Sequence, residues 1–321
     1  MTNESVHHLV LGDVEVIRVV EWQGPFVPVP DLVAETVGEV WRDNEDWLAP
    51  DHWEPETDRL VLALQTWVLR SAGRTVLVDT GVGKGRERPG SPPFHHWRGD
   101  LLGCLAKAGV RAQDVDVVVN THLHIDHVGG NTVEADGEWT PAFPRAQYLI
   151  PAADDAHFGP EGGYGNGSQA DGRLIYEDSV APVHRAGQAV RWDGHHRIDE
   201  HLTLESAPGH TPGSSVLRLA SGGDRAVFVG DLLHSPVQIL RPCCNSNACL
   251  DSERAAASRL RVLQRAADQR ELLVPAHFSG GAGAVEVRRG GGGFTLGPWA
   301  SSLLVGQSRG PDGDHPYPTT S

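Results

Sequence analysis

The chain is poor in lysine, in cysteine and in long apolar runs. Only Lys84 and Lys107 are lysines, and 27 basic residues stand against 42 acidic ones, a formal net charge of −15. A phosphate polymer is held by a basic footprint, so a nucleic-acid partner is not expected. Four cysteines (Cys104, Cys243, Cys244 and Cys249) in 321 residues do not make a disulfide framework. Adjacent cysteines ligate one metal poorly and no CxxC accompanies them, so buried thiols outside any disulfide are expected. A membrane span needs about 18 consecutive apolar residues. The longest apolar stretch, residues 60–69, is interrupted by Gln65 and Thr66. The first residues, MTNESVHHLV, carry neither a basic start nor an apolar core, so no signal peptide is read and a cytoplasmic location is expected.

What remains is an ordinary globular composition, 39% apolar and 21% charged, in a chain long enough for one large core. Residues 60–69 and 75–78 read as strands joined by a hairpin at Ala72-Gly73. Residues 100–108 read as a helix closed by Gly109. Short apolar strands are expected at 115–119, 146–150, 202–206, 215–219, 226–229 and 272–274, and a long helix at 252–267 with Asp251 as its N-cap. Residues 1–290 read as one domain, with the polar, Gly- and His-rich segment 157–201 as an insertion or lid. Residues 291–321 read as a Gly-rich flexible tail.

The chemistry is concentrated in His122-Leu123-His124-Ile125-Asp126-His127, directly after an apolar strand. Imidazole nitrogens and carboxylates are the donor set for zinc and similar divalent metals. Alternate positions of an extended segment project to one side, so His122 and His124 can reach one ion and Asp126 keeps their register. His127 points elsewhere, toward a second. Three more candidates follow apolar strand-like runs: His210 in APGHTPGSS, Asp231 in FVGDLLH and His277 in VPAHF.

This set, in this order, resembles the metallo-β-lactamase superfamily of binuclear metallohydrolases. The resemblance implies an α/β, four-layer αβ/βα sandwich with two Zn²⁺ at the shared edge of its sheets, other divalent transition metals being alternatives. It implies that His122, His124 and His210 bind one metal, that Asp126, His127 and His277 bind the other, and that Asp231 bridges them. Asp79, in VDTG, matches a position that orients the site through hydrogen bonds. In such a centre a metal-bridging hydroxide attacks the substrate and one metal polarises the substrate oxygen. Asp126 would also accept a hydrogen bond from the nucleophile, and His234 would stabilise an oxyanion or donate a proton.

The context VDTGVGKGRER, THLHIDHVGGNT and VGDLLHSPVQILRP resembles the bacterial branch of methyl-parathion-hydrolase-like enzymes and quorum-quenching lactonases. Members there carry a bulky residue where Gly130 stands, which implies a differently shaped pocket. Trp22, Phe26, Trp41, Trp47, Trp53 and Phe94 fall in expected loops, either lining an apolar pocket or packing a core. His95-His96 and His195-His196 read as solvated loop residues, and His7-His8 as an N-terminal arm. The expected function is hydrolysis of a small, largely apolar ester, lactone or phosphotriester. The alternatives are a metal-dependent thioesterase or polyketide cyclase of the same fold, a nuclease disfavoured by the charge, and a non-catalytic metal-binding protein. A small molecule is the expected partner, and a homodimer is an open option for assembly.

Overall fold

A computed structural model describes residues 6–33, 38–281 and 283–300. Its strands in the first half are β1 (Val6–Leu11), β2 (Val14–Pro28), β3 (Trp53–Glu54), β4 (Arg59–Ser71), β5 (Arg74–Val78), β6 (Val117–Val119), β7 (Thr132–Ala135), β8 (Glu138–Pro141) and β9 (Gln147–Pro151). Then come β10 (Ala189–Trp192), β11 (His195–Arg197), β12 (Leu202–Ser206), β13 (Ser215–Ser221), β14 (Asp224–Phe228), β15 (Leu272–Val274), β16 (Val285–Gly290) and β17 (Gly293–Trp299). The helices are α1 (Val29–Val33), α2 (Gly38–Arg42), α3 (Glu45–Leu48), α4 (Leu101–Lys107), α5 (Ile125–Val128), α6 (Ala152–Phe158), α7 (Gly172–Ser179), α8 (Ala181–Arg185), α9 (Val237–Leu240) and α10 (Ser252–Gln269).

One sheet runs β1-β2-β4-β5-β6-β9-β10 with β3 beside β4, and a second runs β11 to β17 in chain order. The strands flanking the site are buried on both faces, which explains their unbroken apolar runs. In β5, Val76 and Val78 face the second sheet while Leu77 faces outward, and β6 does the same with Val117, Val119 and Val118. From the opposite sheet, Leu217, Leu219, Ala226, Phe228 and Val274 complete the inter-sheet core. The outer face of the first sheet packs on Leu101, Leu105, Phe158, Ile175 and Val183 from α4, α6, α7 and α8. The outer face of the second packs on Val262, Leu263 and Ala266 of α10. The result is the expected four-layer αβ/βα sandwich.

Local signals explain the joints. Ala72 and Gly73 both take positive φ (48° and 75°), as a tight hairpin turn requires. The Asp251 side chain accepts from the Arg254 amide and caps α10.

Four expectations change. The segment 157–201 is part of the fold: Phe158, Ile175, Val180 and Val183 are core residues, and β10 and β11 add strands to both sheets. The flexible tail does not begin at 291. Gly291 and Gly292 (φ 56° and 81°) form a turn that pairs β16 with β17, while residues 301–321 lie outside the described residues. Of the cysteines, Cys104 and Cys244 are buried, but Cys243 is exposed and Cys249 is half-buried. His7-His8 and His195-His196 lie in β1 and β11, where the backbone pairs with β2 and β12.

Phe228 is buried and meets Trp67 edge-on across the two sheets, with ring centroids 5.8 Å apart. Phe228→Ala should cost about 3–5 kcal/mol, read as a lower denaturant midpoint at unchanged slope. A loss under about 1 kcal/mol would mean that the two sheets do not depend on this contact.

Candidate functional site

Every candidate ligand follows a strand. The motif residues His122 to His127 leave β6, His210 lies between β12 and β13, Asp231 follows β14 and His277 follows β15. The rigid strands thereby deliver side chains from both sheets to one edge of the sandwich.

The structure brings all seven together in two groups. In one, donor atoms of His122, His124, His210 and Asp231 lie within 4.8 Å of one another; in the other, those of Asp126, His127 and His277 do the same. Asp231 belongs to both. Its Oδ2 stands 3.7 Å from His122 Nε2 and 3.3 Å from His210 Nε2, and its Oδ1 stands 3.1 Å from His127 Nε2 and 3.0 Å from His277 Nε2. His124 Nδ1 lies 2.9 Å from His210 Nε2. Asp126 reaches His127 Nε2 at 3.7 Å and His277 Nε2 at 3.5 Å.

The backs of these rings are held by contacts that turn the opposite nitrogen toward the centre. Asp79 Oδ2 accepts from His127 Nδ1 at 2.9 Å and from the Thr121 hydroxyl at 2.8 Å, and Asp79 Oδ1 accepts from the Thr121 amide at 2.8 Å. The Ala63 carbonyl accepts from His277 Nδ1 at 3.0 Å. Cys249 Sγ stands 3.6 Å from His210 Nδ1. Each contact directs Nδ1 outward and Nε2 inward, the orientation of a metal-ligating imidazole. His122 Nε2 is buried and has no hydrogen-bond partner. A buried acceptor aimed at other acceptors is costly unless a cation lies among them, so these residues fit a pair of divalent metals.

The electrostatics agree. Burial, then the neighbouring His127, hold His122 well below the ordinary imidazole value, and burial and His210 do so for His124. Burial pulls His127 down too, but Asp231, Asp126 and Asp79 outweigh it and hold it well above its ordinary value. His210, likewise buried, is raised to about 9 by Asp231 and Cys249. Burial would raise the Asp231 carboxyl, but His127, His277, His234 and His122 hold it far below the carboxylate range. The field that draws protons here also draws a metal ion.

His234 stands beside the two groups of candidate ligands. It is buried, its Nε2 is 3.1 Å from Asp231 Oδ2, its ring stacks at 5.7 Å on His277, and burial lowers its proton affinity. Gly130 does not shape a pocket: a Cβ there would strike the Thr80 carbonyl and Leu101, so this glycine serves close packing. Trp41 and Trp53 are core residues, with Trp47 packed against them. Trp22, Phe26 and Phe94 instead form a half-buried cluster with Trp97, whose rings pair at 5.5–6.5 Å. Trp22 and Gln23 pair with Leu64 and Ala63, and Ala63 holds His277, so this part of β2 lies one strand from the site.

Sequence reasoning missed Thr121 and Trp97, and it set Cys249 aside as a buried thiol although its sulfur stands against His210. Only proximity to the motif could have singled out Thr121; Trp97 carries no local signal. His95, His96 and Glu87 also cluster. There, His95 Nδ1 accepts from the Arg88 amide at 2.9 Å, so its proton sits on Nε2, the atom facing Glu87. That tautomer does not ligate a metal.

With this geometry in hand, the chain was compared with known proteins. The sequence model of the metallo-beta-lactamase superfamily matches residues 61–277, more than half of the chain. AidC, a dizinc quorum-quenching lactonase, is 21% identical, with a TM-score of 0.75 over 94% of this chain and 98% of its own. AbOPH, a hydrolase of the beta-lactamase superfamily, is 17% identical, with a TM-score of 0.76 over 94% of this chain and 100% of its own. A probable metal-dependent hydrolase from Staphylococcus aureus is 16% identical, with a TM-score of 0.72 over 92% of this chain and 100% of its own. At these identities the structural likeness shows the fold.

Two predictions follow from the supports of the site. Asp79 has φ 59°, which asparagine tolerates. Asp79→Asn therefore keeps the backbone but replaces one acceptor oxygen with a donor, and should weaken metal binding by about 10- to 100-fold. A chelator competition assay reads this; unchanged affinity would remove Asp79 from the account. Glu21 is buried against Gly81 and takes a 3.2 Å hydrogen bond from Trp97 Nε1; burial raises its carboxyl to about 7. A raised carboxyl keeps its full contribution at low pH and loses it as pH climbs through the folded value. Glu21→Gln should therefore gain stability relative to wild type between pH 5 and pH 8 in urea melts, and a pH-independent difference would contradict the assignment.

Proposed function

The chain belongs to the metallo-β-lactamase superfamily of metal-dependent hydrolases, and on that premise we propose that it is a binuclear zinc hydrolase of a small, largely apolar ester, lactone or phosphotriester. The observation that carries the reading is Asp231, which turns one carboxylate oxygen to each group of ligands. His122, His124 and His210 would hold one ion, Asp126, His127 and His277 the other, and Asp231 both. Bound zinc supplies a water of lowered pKa and polarises the substrate's carbonyl or phosphoryl oxygen.

The chain's own residues do the rest. Asp126 is the most solvent-accessible of the ligands, half-buried beside the otherwise buried histidines, and is placed to accept a proton from the attacking water. His234 is held neutral by burial and its Nε2 proton goes to Asp231 Oδ2, which leaves Nδ1, without a hydrogen-bond partner, as an acceptor that can take up a proton and pass it to the leaving group. The Trp22–Phe26–Phe94–Trp97 cluster is a half-buried apolar surface on β2, one strand from Ala63, whose carbonyl holds His277. It suits an acyl or aryl group better than a charged substrate. The AidC likeness supports a lactone among the candidates. The acidic chain supports a small-molecule partner over nucleic acid. Among the described residues no helix is long and apolar enough to cross a membrane.

The zinc-loaded protein should turn over at least one class in a panel of lactones, aryl esters and phosphotriesters. His234→Asn should lower kcat by about 100-fold or more with zinc content unchanged. No turnover by protein carrying two zinc ions would overturn the proposal, and turnover of thioesters alone would move it to the thioesterase reading.

A further inference from the structure

We propose that Asp154 is a positioning residue that sets the three-histidine half of the centre; the inference rests on the binuclear reading above. His122 and His124 come from the first sheet and His210 from the second, so nothing local fixes their separation. Asp154, in the first turn of α6, is fully buried between the two loops. Its Oδ2 accepts from the Leu123 amide at 3.0 Å and from the Thr211 hydroxyl at 2.9 Å, and its Oδ1 accepts from the Gly213 amide at 2.6 Å. Leu123 is the residue between His122 and His124, and Thr211 directly follows His210. One carboxylate thus spans the loops that carry all three histidines.

The fit around it is close. A Cβ on Gly213 would stand 2.7 Å from the Asp154 amide nitrogen and 2.8 Å from Pro151 Cβ, so the loop after His210 lies directly on the start of α6. The Thr211 hydroxyl also contacts Ser214 Oγ at 2.7 Å. Ser215 separately joins Thr121 to β13, through amide and hydroxyl contacts to the Thr121 carbonyl at 3.0 and 2.8 Å. The two sheets therefore remain tied when Asp154 is altered. What Asp154 adds is the orientation of the Leu123 peptide and of the His210 loop. The other half of the centre is held by Asp79 and the Ala63 carbonyl. Asp154 should therefore act on one metal position and not on both.

Substitution by asparagine keeps the shape but turns a donor toward one of three donors, two of which are backbone amides that cannot reverse. Zinc titration of the full chain against a chromophoric chelator tests the idea, with His124→Ala marking which affinity belongs to the three-histidine half. Asp154→Asn should weaken that position by about 10- to 100-fold and leave the other unchanged. Thr211→Val should weaken the same position by less, and Thr211→Ser, which restores the hydroxyl, should recover wild-type affinity. Equal weakening of both positions, or of neither, in protein with a wild-type circular dichroism spectrum would overturn the proposal. If Asp154→Asn does not fold, the Thr211 pair decides on the same criterion. A wild-type chain that binds a single zinc would contradict the binuclear reading instead. Asp154 would then be judged by whether its variants weaken that ion as His124→Ala does.

Discussion

One carboxylate organises this protein. Asp231 is buried among imidazoles from four separate segments, with one oxygen turned to each ligand group. Burying so many polar groups together is unfavourable unless their lone pairs converge on cations. His122 Nε2, which no hydrogen bond satisfies, is the sharpest sign of that demand. The rings are turned inward by contacts on their far sides, from Asp79, the Ala63 carbonyl and Cys249. The centre is therefore built from behind, and the supporting residues matter nearly as much as the ligands.

The sandwich is what makes such a cluster attainable. Parallel β5, β6 and β9 in one sheet and parallel β14 and β15 in the other end at the same edge. Loops leaving those ends need travel only a few residues to meet. The inter-sheet core behind them is apolar and continuous, so the candidate ligands are presented by elements packed directly on one another. Asp154 extends the same logic: where two loops from different sheets must agree, a buried acceptor ties their backbones together.

The sequence was most legible where chemistry restricts residue type. The spacing of His122 to His127, together with His210, Asp231 and His277 after apolar runs, singled out seven residues that the fold gathers at one edge of the sandwich. The hairpin at Ala72-Gly73 and the cap at Asp251 were readable because few residues satisfy those geometries. Legibility failed where tertiary context overrode local signals. β2 continues through Pro25 to Pro28, although prolines suggest a break. Among the described residues β1 pairs with β2 as far as Val19, and the proline-bearing end of β2 is held from its other side by β4, through Pro25 with Val61 and Pro28 with Arg59. The glycine run at 290–293 looked like a flexible tail but is the turn of a hairpin. The histidine-rich stretch 157–201 looked like a lid because its buried residues are spread over short helices with little periodicity. Trp41 and Trp53 were open to either reading, pocket or core, and the fold packs them inside.

The central claim is that Asp231 joins two metal positions of different composition. Anomalous diffraction from crystals of the zinc-loaded chain, recorded on both sides of the zinc edge, addresses it directly. The account predicts two peaks flanking the Asp231 carboxylate, one beside His122, His124 and His210 and the other beside Asp126, His127 and His277. A single peak, or two peaks neither of which touches Asp231, would contradict it.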